Sequence, residues 1–304
     1  MAELILHHYE MSPYARKIRL ALGLKGARWR SVEAPLVMPK PDLVELTGGY
    51  RRVPVLQIGA DVYCDTHCIA PVLDARLPGP RLYPSGRETE AHALSKWAES
   101  TFMLGVLAFF GIGGVFPEAF VEDRRKTMVP PDQDLDRAGM LLPTKLLQIR
   151  ANLERLEAML ADGRPFLQGE TASIADLSAF HPASFLALHE TTAALADGLP
   201  QLAAWMPRVA AIGEGDAEPM GSGEAIEVAR AAEPAAPAGA PTLPAGMPLG
   251  TPVVVLPDEY GSGNVAGTLA ASSLHEIAVR RRSERAGDVV VHFPRQEYTV
   301  IATG

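Results

Sequence analysis

In "RRVPVLQIGADVYCDTHCIAPVLD" (residues 51–74), two β-rich runs, "VPVLQI" and "DVYC", flank Gly59-Ala60. A two-residue connection with glycine first is hairpin chemistry, because glycine reaches the positive φ that a tight antiparallel turn needs. The segment that follows, "THCIAPVLDARLPG" (residues 66–79), has helical spacing and stops at Pro78-Gly79. Upstream, "ELILHHY" (residues 3–9) is a short apolar run suited to a buried strand. "SPYARKIRLALGL" (residues 12–24) places Ile18, Ala21 and Leu22 at helical spacing and turns Arg16, Lys17 and Arg19 elsewhere. "RWRSVEAP" (residues 28–35) reads as a second strand and "KPDLVELT" (residues 40–47) as a short helix begun near a proline. The order is therefore βαβαββα.

From Gly86 to about Gly213 the pattern is helical. "ETEAHALSKWAESTFMLGVLAFF" (residues 88–110) and "DLDRAGMLLPTKLLQIRANLERLEAMLADG" (residues 134–163) are long enough for helices of several turns, with a kink expected at Pro143. "FFGIGGVFPEAF" (residues 109–120) has three glycines among aromatics and reads as a mobile loop. In "TASIADLSAFHPASFLALHE" (residues 171–190), Ser173 and Asp176 have capping-box spacing, in which each satisfies a backbone donor of the other. Residues 214–250 shift to alanine, proline and glycine and read as a semi-extended linker. Beyond them, five short runs of strand composition suggest a small β-barrel-like module over residues 251–304. Its arginines 280, 281, 282, 285 and 295 read as a solvated basic face, or as a docking surface for an acidic partner.

The chain has 304 residues, 47% of them hydrophobic, enough for two or three domains. A formal net charge of -8 argues against nucleic acid or an anionic membrane as partner, since both demand a basic face. No apolar run is long enough to span a bilayer, and the start of the chain lacks the pattern of an export signal, so the cytoplasm is the expected location. Cys64 and Cys68 with His67 between them fall short of the four ligands of a structural zinc site, and a buried, reduced pair is expected with no metal.

The first domain's order, with Val53-Pro54 opening the third strand, is that of a thioredoxin-like domain. Followed at once by a helical bundle, it resembles the soluble glutathione S-transferase family over residues 1–213. "SPYARKIRLAL" is similar to the family's S/C-P-x-x-x-x-V/I-R-x-x-L helix start, "RRVPVLQIGADVYCDTHCIAPVLD" to its Val-Pro and Glu-Ser block, and "SIADLSAF" to its S/T-x-A-D motif. The resemblance implies an α/β thioredoxin-like glutathione-binding domain (residues 1–83) and an all-helical substrate domain (residues 84–213). The linker and a small all-β domain lie outside that architecture.

Ser12 then has two roles. As a helix N-cap it accepts a backbone hydrogen bond, with Pro13 lacking the donor that would go unsatisfied there. As a site residue, its hydroxyl donates to a bound thiolate whose charge the helix dipole also favours. The resemblance to serine-type transferases assigns Ser12 that catalytic role. It also implies that the backbone at Val53, before a cis Pro54, pairs with glutathione's cysteinyl part. Asp65 and Thr66 take the place of the Glu-Ser pair, Thr66 capping a helix and receiving the γ-glutamyl carboxylate while Asp65 meets the amino group. Arg52 is expected near the tripeptide, and Lys40 at its glycyl carboxylate. Where the family often has Asn-Pro before its Val-Pro, this chain has Gly48-Gly49. An apolar electrophile would lie between the domains against Tyr14, Trp97, Phe102, Met103 and Phe109. The resemblance implies a homodimer that conjugates glutathione, its co-substrate, to that electrophile. The alternative is a non-catalytic binding or scaffold protein of the same fold that works through its β module.

Overall fold

The computed structural model describes residues 2–129, 138–236 and 241–303. Its first seven elements follow the expected order: β1 (Ile5–His8), α1 (Pro13–Leu24), β2 (Arg28–Glu33), α2 (Pro41–Thr47), β3 (Val55–Ile58), β4 (Asp61–Cys64) and α3 (Thr66–Arg76). β1 runs parallel to β2 and antiparallel to β3, and β3 turns into β4 over Gly59 at φ 62°. Alternation along the strands sets the two faces. Leu6, Leu56, Ile58 and Tyr63 pack with Ile18 of α1 and Leu73 of α3, whereas Ile5, Val55 and Val62 belong to clusters on the other face.

The helical domain comprises α4 (Glu88–Ile112), α5 (Glu118–Met128), α6 (Ala138–Met159), α7 (Ile174–Leu186), α8 (Glu190–Ala193) and α9 (Pro200–Ala210). Pro143 lies within α6, while residues 134–137, expected to open that helix, fall outside the described residues. The capping box forms as expected: the Ala175 N–H donates to Ser173 Oγ and the Ser173 N–H to Asp176 Oδ2. Asp176 also accepts from Leu167 N–H and Trp205 Nε1–H, so one buried carboxylate ties α7 to α9. The segment expected to be a mobile loop is mostly helical: residues 109–112 complete α4, and only Gly113 to Pro117 turn the chain, with Gly113 and Gly114 at positive φ. Helical pairing extends through the glycine-aromatic stretch because Gly111 lets α4 approach the Ala138 carbonyl.

The expected linker is the main correction. Residues 214–232 are built into the first domain: β5 (Asp216–Pro219) pairs in parallel with β2, and α10 (Ser222–Ala231) buries Ala225, Ile226 and Ala229. These small side chains leave the composition poor in apolar bulk yet let the helix lie close to the sheet. Gln57 of β3 donates from Nε2 to the Ala225 carbonyl and contacts His7 Nε2 through Oε1, which fixes α10 to two strands. The return of the chain past α1 requires glycine, since a Cβ on Gly23 would sit 2.0 Å from the Gly213 carbonyl oxygen.

The last strands are β6 (Pro252–Pro257), β7 (Val265–Ser272), β8 (Glu276–Ser283), β9 (Gly287–Pro294) and β10 (Tyr298–Ala302). β6 to β9 form an antiparallel meander, and β10 returns to pair with β6. Three residues between β9 and β10 reach about 14 Å when extended, whereas four strand spacings in a flat sheet need about 19 Å. The five strands must therefore curl, as a barrel-like module does. They do not stand apart, however: β9 pairs in parallel with β4 through Asp61↔Val290, Val62↔Val291 and Tyr63↔His292, giving one ten-stranded sheet of order β10-β6-β7-β8-β9-β4-β3-β1-β2-β5. The interior is shared too, with Leu46, Tyr50 and Val62 of the first domain packing among Val255, Val279 and Phe293. The arginines divide: Arg280 and Arg282 are exposed, as a solvated face requires, whereas three others are tied to the protein. Arg281 donates to the Glu45 carbonyl, Arg285 pairs with Asp42, and Arg295 donates to Ser272 Oγ and the Ser273 carbonyl, so two of them hold β8 and its turn to α2. No helix among the described residues is long and apolar enough to cross a membrane.

His292 marks this junction. Its ring stacks on Tyr63 at 4.4 Å, with Nδ1 2.5 Å from Glu276 and Nε2 3.1 Å from Asp61. Burial pulls its pKa down, but hydrogen bonds with Asp61 and Glu276 outweigh burial and hold it above the ordinary 6.5. A raised folded-state pKa means that the charged pair's stabilisation is fully present below pH 6.5 and is lost as pH rises through the folded value. We expect urea unfolding to show the largest stability difference between wild type and His292→Gln in mildly acid solution. The difference should shrink on the alkaline side; one constant with pH would contradict this assignment.

Candidate functional site

Ser12 stands where β1 hands the chain to α1. Its Oγ is buried and accepts from Ala15 N–H at 3.2 Å, so the cap is real. An accepting hydroxyl still has its proton to give, and among the described residues no acceptor takes it. Ser12 thus combines a helix N-terminus with an unspent O–H donor.

Val53-Pro54 is cis, as expected, and so is Met38-Pro39, which sequence reading passed over. Asp65, at φ 76°, is itself the N-cap of α3: its Oδ1 accepts from His67 N–H at 2.8 Å. Thr66 was expected to cap this helix and instead forms its first residue, its Oγ1 accepting from Lys17 Nζ at 3.2 Å. The shorter aspartate explains the exchange, because its carboxylate folds back onto the helix start it precedes. Asp65 Oδ2 meanwhile accepts from the Tyr298 hydroxyl at 3.0 Å, a contact from β10 that nothing local in the sequence foreshadows.

Arg52 and Lys40, both expected at the tripeptide, have separate surroundings. Arg52 pairs through Nη1 with Glu259 at 2.7 Å, donates from Nε to Ser262 Oγ and from Nη2 to the Tyr260 carbonyl. Lys40 is buried, with Nζ 5.2 Å from the Tyr9 ring centroid, and no carboxylate among the described residues pairs with it. Burial, with Arg124 and Arg51 nearby, pushes its pKa down to about 8. A lysine so placed is an open invitation to an anion.

The expected apolar wall is brought together in part. Tyr14 packs edge-on to Phe102 at 4.9 Å, and Phe102 meets Phe185, which also meets Phe109. Trp97 is partly buried against the main core, Phe109 is fully buried, and Met103 points outward at 45% exposure. Sequence reading missed His181, which lies 4.9 Å from Tyr14, is wholly buried and has both ring nitrogens unpartnered. Burial lowers its pKa to about 3, so the imidazole is neutral and offers one donor and one acceptor. Burial first, and then Glu99, Glu259 and Asp65, raise the Tyr14 phenol well above the usual tyrosine value, which keeps it an O–H.

Behind these groups a polar network crosses the domain boundary. Lys17 Nζ, with no exposure, donates to Glu99 Oε1 at 2.9 Å, Thr66 Oγ1 and Ser95 Oγ; His67 Nε2 lies 2.9 Å from Glu99 Oε2. Burial would raise the Glu99 pKa, but the Lys17 ammonium and His67 hold it well below the usual carboxylate range. Cys64 and Cys68 are free, buried thiols whose pKa burial pushes well up, so neither is a ready nucleophile.

Comparison with known proteins bears on this geometry. Residues 6–81 match the glutathione S-transferase N-terminal domain and residues 140–208 the C-terminal domain. A GST-like protein from Pseudomonas syringae is 39% identical, with all of both chains covered and a TM-score of 0.79. The chain belongs to the glutathione S-transferase family. A probable glutathione S-transferase of Solanum tuberosum is 27% identical over 100 residues, 33% of this chain and 45% of that protein, so the match spans less than half of the potato relative. A glutathione S-transferase of Methylobacillus flagellatus, solved with glutathione bound, shares the fold at 21% identity over 68% of this chain and 94% of its own, with a TM-score of 0.52. The match to the Methylobacillus transferase thus leaves about a third of this chain uncovered, whereas that to the Pseudomonas protein covers all of it, the C-terminal strands included.

The transferase domains here are bolted together by Lys17. Replacing it by methionine leaves Glu99 buried with His67 as its remaining side-chain partner, and we expect a loss of about 3–5 kcal/mol in denaturant unfolding. A loss below about 1 kcal/mol, the range of exposed pairs, would show that the network carries little.

Proposed function

We propose that this protein is a glutathione transferase in which Ser12 holds the tripeptide's thiol as thiolate for attack on an apolar electrophile. The observation that carries the reading is the Ser12 hydroxyl, buried at the start of α1 with its proton uncommitted. A donor and a helix dipole aimed at one sulfur both favour its anion, so the thiol's pKa falls and more of it is nucleophilic at neutral pH. Ser12 itself forms no bond to substrate. The thiol's proton leaves to solvent, the sulfur's electron pair makes the new carbon–sulfur bond, and the electrophile either loses its leaving group or accepts a proton.

Lys40 supports an anionic ligand, being buried and without a carboxylate partner among the described residues. Tyr14, Phe102 and Phe185 would hold the electrophile's apolar part, with Tyr14 O–H and neutral His181 as the polar groups that orient it. The reading includes a homodimer, for which sedimentation should give twice the 32.5 kDa chain mass.

A second reading, a non-catalytic binding protein on the same fold, draws on Asp65 and Arg52, both already engaged by the C-terminal strands and their loops. Calorimetric titration with glutathione, joined to ultraviolet titration of the bound thiol, separates the two. We expect Ser12→Ala to retain binding, to lose the lowered thiol pKa and to slow turnover about 100-fold, the scale of losing one oriented donor. Ser12→Thr, which keeps the hydroxyl, should recover much of it. Failure of wild type and Ser12→Ala alike to bind glutathione would sink the enzyme reading.

A further inference from the structure

All three side-chain nitrogens of Arg52 are claimed by one loop, the turn between β6 and β7. Glu259 Oε1 pairs with Nη1 at 2.7 Å, Ser262 Oγ accepts from Nε, and the Tyr260 carbonyl accepts from Nη2 at 3.3 Å. The loop is seated firmly there. The Arg51 N–H donates to the Ser262 carbonyl at 3.0 Å, and a Cβ on Gly263 would lie 2.0 Å from the Gly49 carbonyl oxygen, so two backbones meet at the Gly48-Gly49 turn. Glycine at 49 and 263 is what admits this contact. The Glu259 side chain is 56% exposed, against 20% for its partner Arg52, so it can swing into solvent without moving the backbone.

From this arrangement we infer that Glu259 is a specificity-determining residue of the ligand site: its carboxylate fills the anion position on Arg52 and discriminates against ligands that bring a carboxylate there. The inference rests on the reading of the Ser12 site as a glutathione site. A guanidinium fork presents its donors in a fixed plane, and a second carboxylate can use them bidentately only by displacing the first. Bringing an anionic arm beside a paired Glu259, with Asp65 also acting on the same Tyr14 phenol, sets like charges together. An arm bearing an ester or amide meets no such opposition. The chain after residue 250 thereby takes part in ligand choice, as well as completing the sheet.

The test is calorimetric titration of wild type and Glu259→Gln with glutathione and with its glycyl monoethyl ester. Glutamine keeps the shape and a hydrogen bond to Arg52 while removing the charge, and at a half-exposed position it leaves the fold intact. We expect Glu259→Gln to bind glutathione about tenfold more tightly than wild type, equivalent to about 1.4 kcal/mol, with the ester's affinity unchanged to within about twofold. Glutathione binding by wild type that Glu259→Gln leaves unaltered, or a gain shared equally by acid and ester, overturns this inference and leaves the transferase reading standing. Absence of binding of either compound to either protein overturns both. Binding of glutathione by Glu259→Gln alone supports both.

Discussion

The parallel pairing of β9 with β4 is the contact on which the rest of the molecule depends. A four-stranded sheet of order β4-β3-β1-β2 has two edges with unpaired backbone groups, and both are covered by chain that follows the helical domain. β9 covers one and β5 the other. With β9 placed, the short link to β10 forces the last strands to curl, which carries Tyr298 to Asp65 and the β6–β7 turn to Arg52. The site's polar surroundings are consequently a product of sheet completion.

Electrostatics divides the site into a closed half and an open half. On the closed side, Lys17 and Glu99 neutralise one another inside the interface between α1, α3 and α4, and His67 adds a hydrogen bond to the carboxylate. On the open side, Lys40 is buried without an ionic partner among the described residues, and Ser12 retains its proton. A buried cation with no direct carboxylate partner among the described residues and a donor at a helix start both point to an anionic guest. Arg52 sits between these regimes, since its partner Glu259 is half in water.

What could be read from the sequence was whatever depends on local chemistry. The Gly59-Ala60 hairpin, the Ser12-Pro13 helix start and the Ser173–Asp176 box each need only a few consecutive residues to declare themselves, and each formed. The first half of the expected linker, residues 214–232, was misread because alanine and glycine signal equally a loose linker and a helix built to lie close against a sheet; Ala225 and Ala229 serve the second purpose. Parallel pairing of β4 with β9 joins residues more than 220 positions apart and leaves no periodic trace. For the same reason Tyr298 and Glu259 could not be assigned to the site, and Arg281 and Arg285 passed for part of a solvated face when they are ties to α2. His181 carried a faint signal, a histidine two turns into a mostly apolar helix.

The placement of β5 and β9 at opposite edges of the first sheet also bears on how the chain is made. A ribosome delivers residues 1–83 first, and these leave with β2 and β4 both open to any passing strand. The helical domain must be completed before Asp216–Pro219 can close one side, and the strands up to Gly287–Pro294 must follow before the other closes. The first domain therefore waits longest for its own protection, and truncated or stalled chains expose two bare flanks suited to recruiting each other.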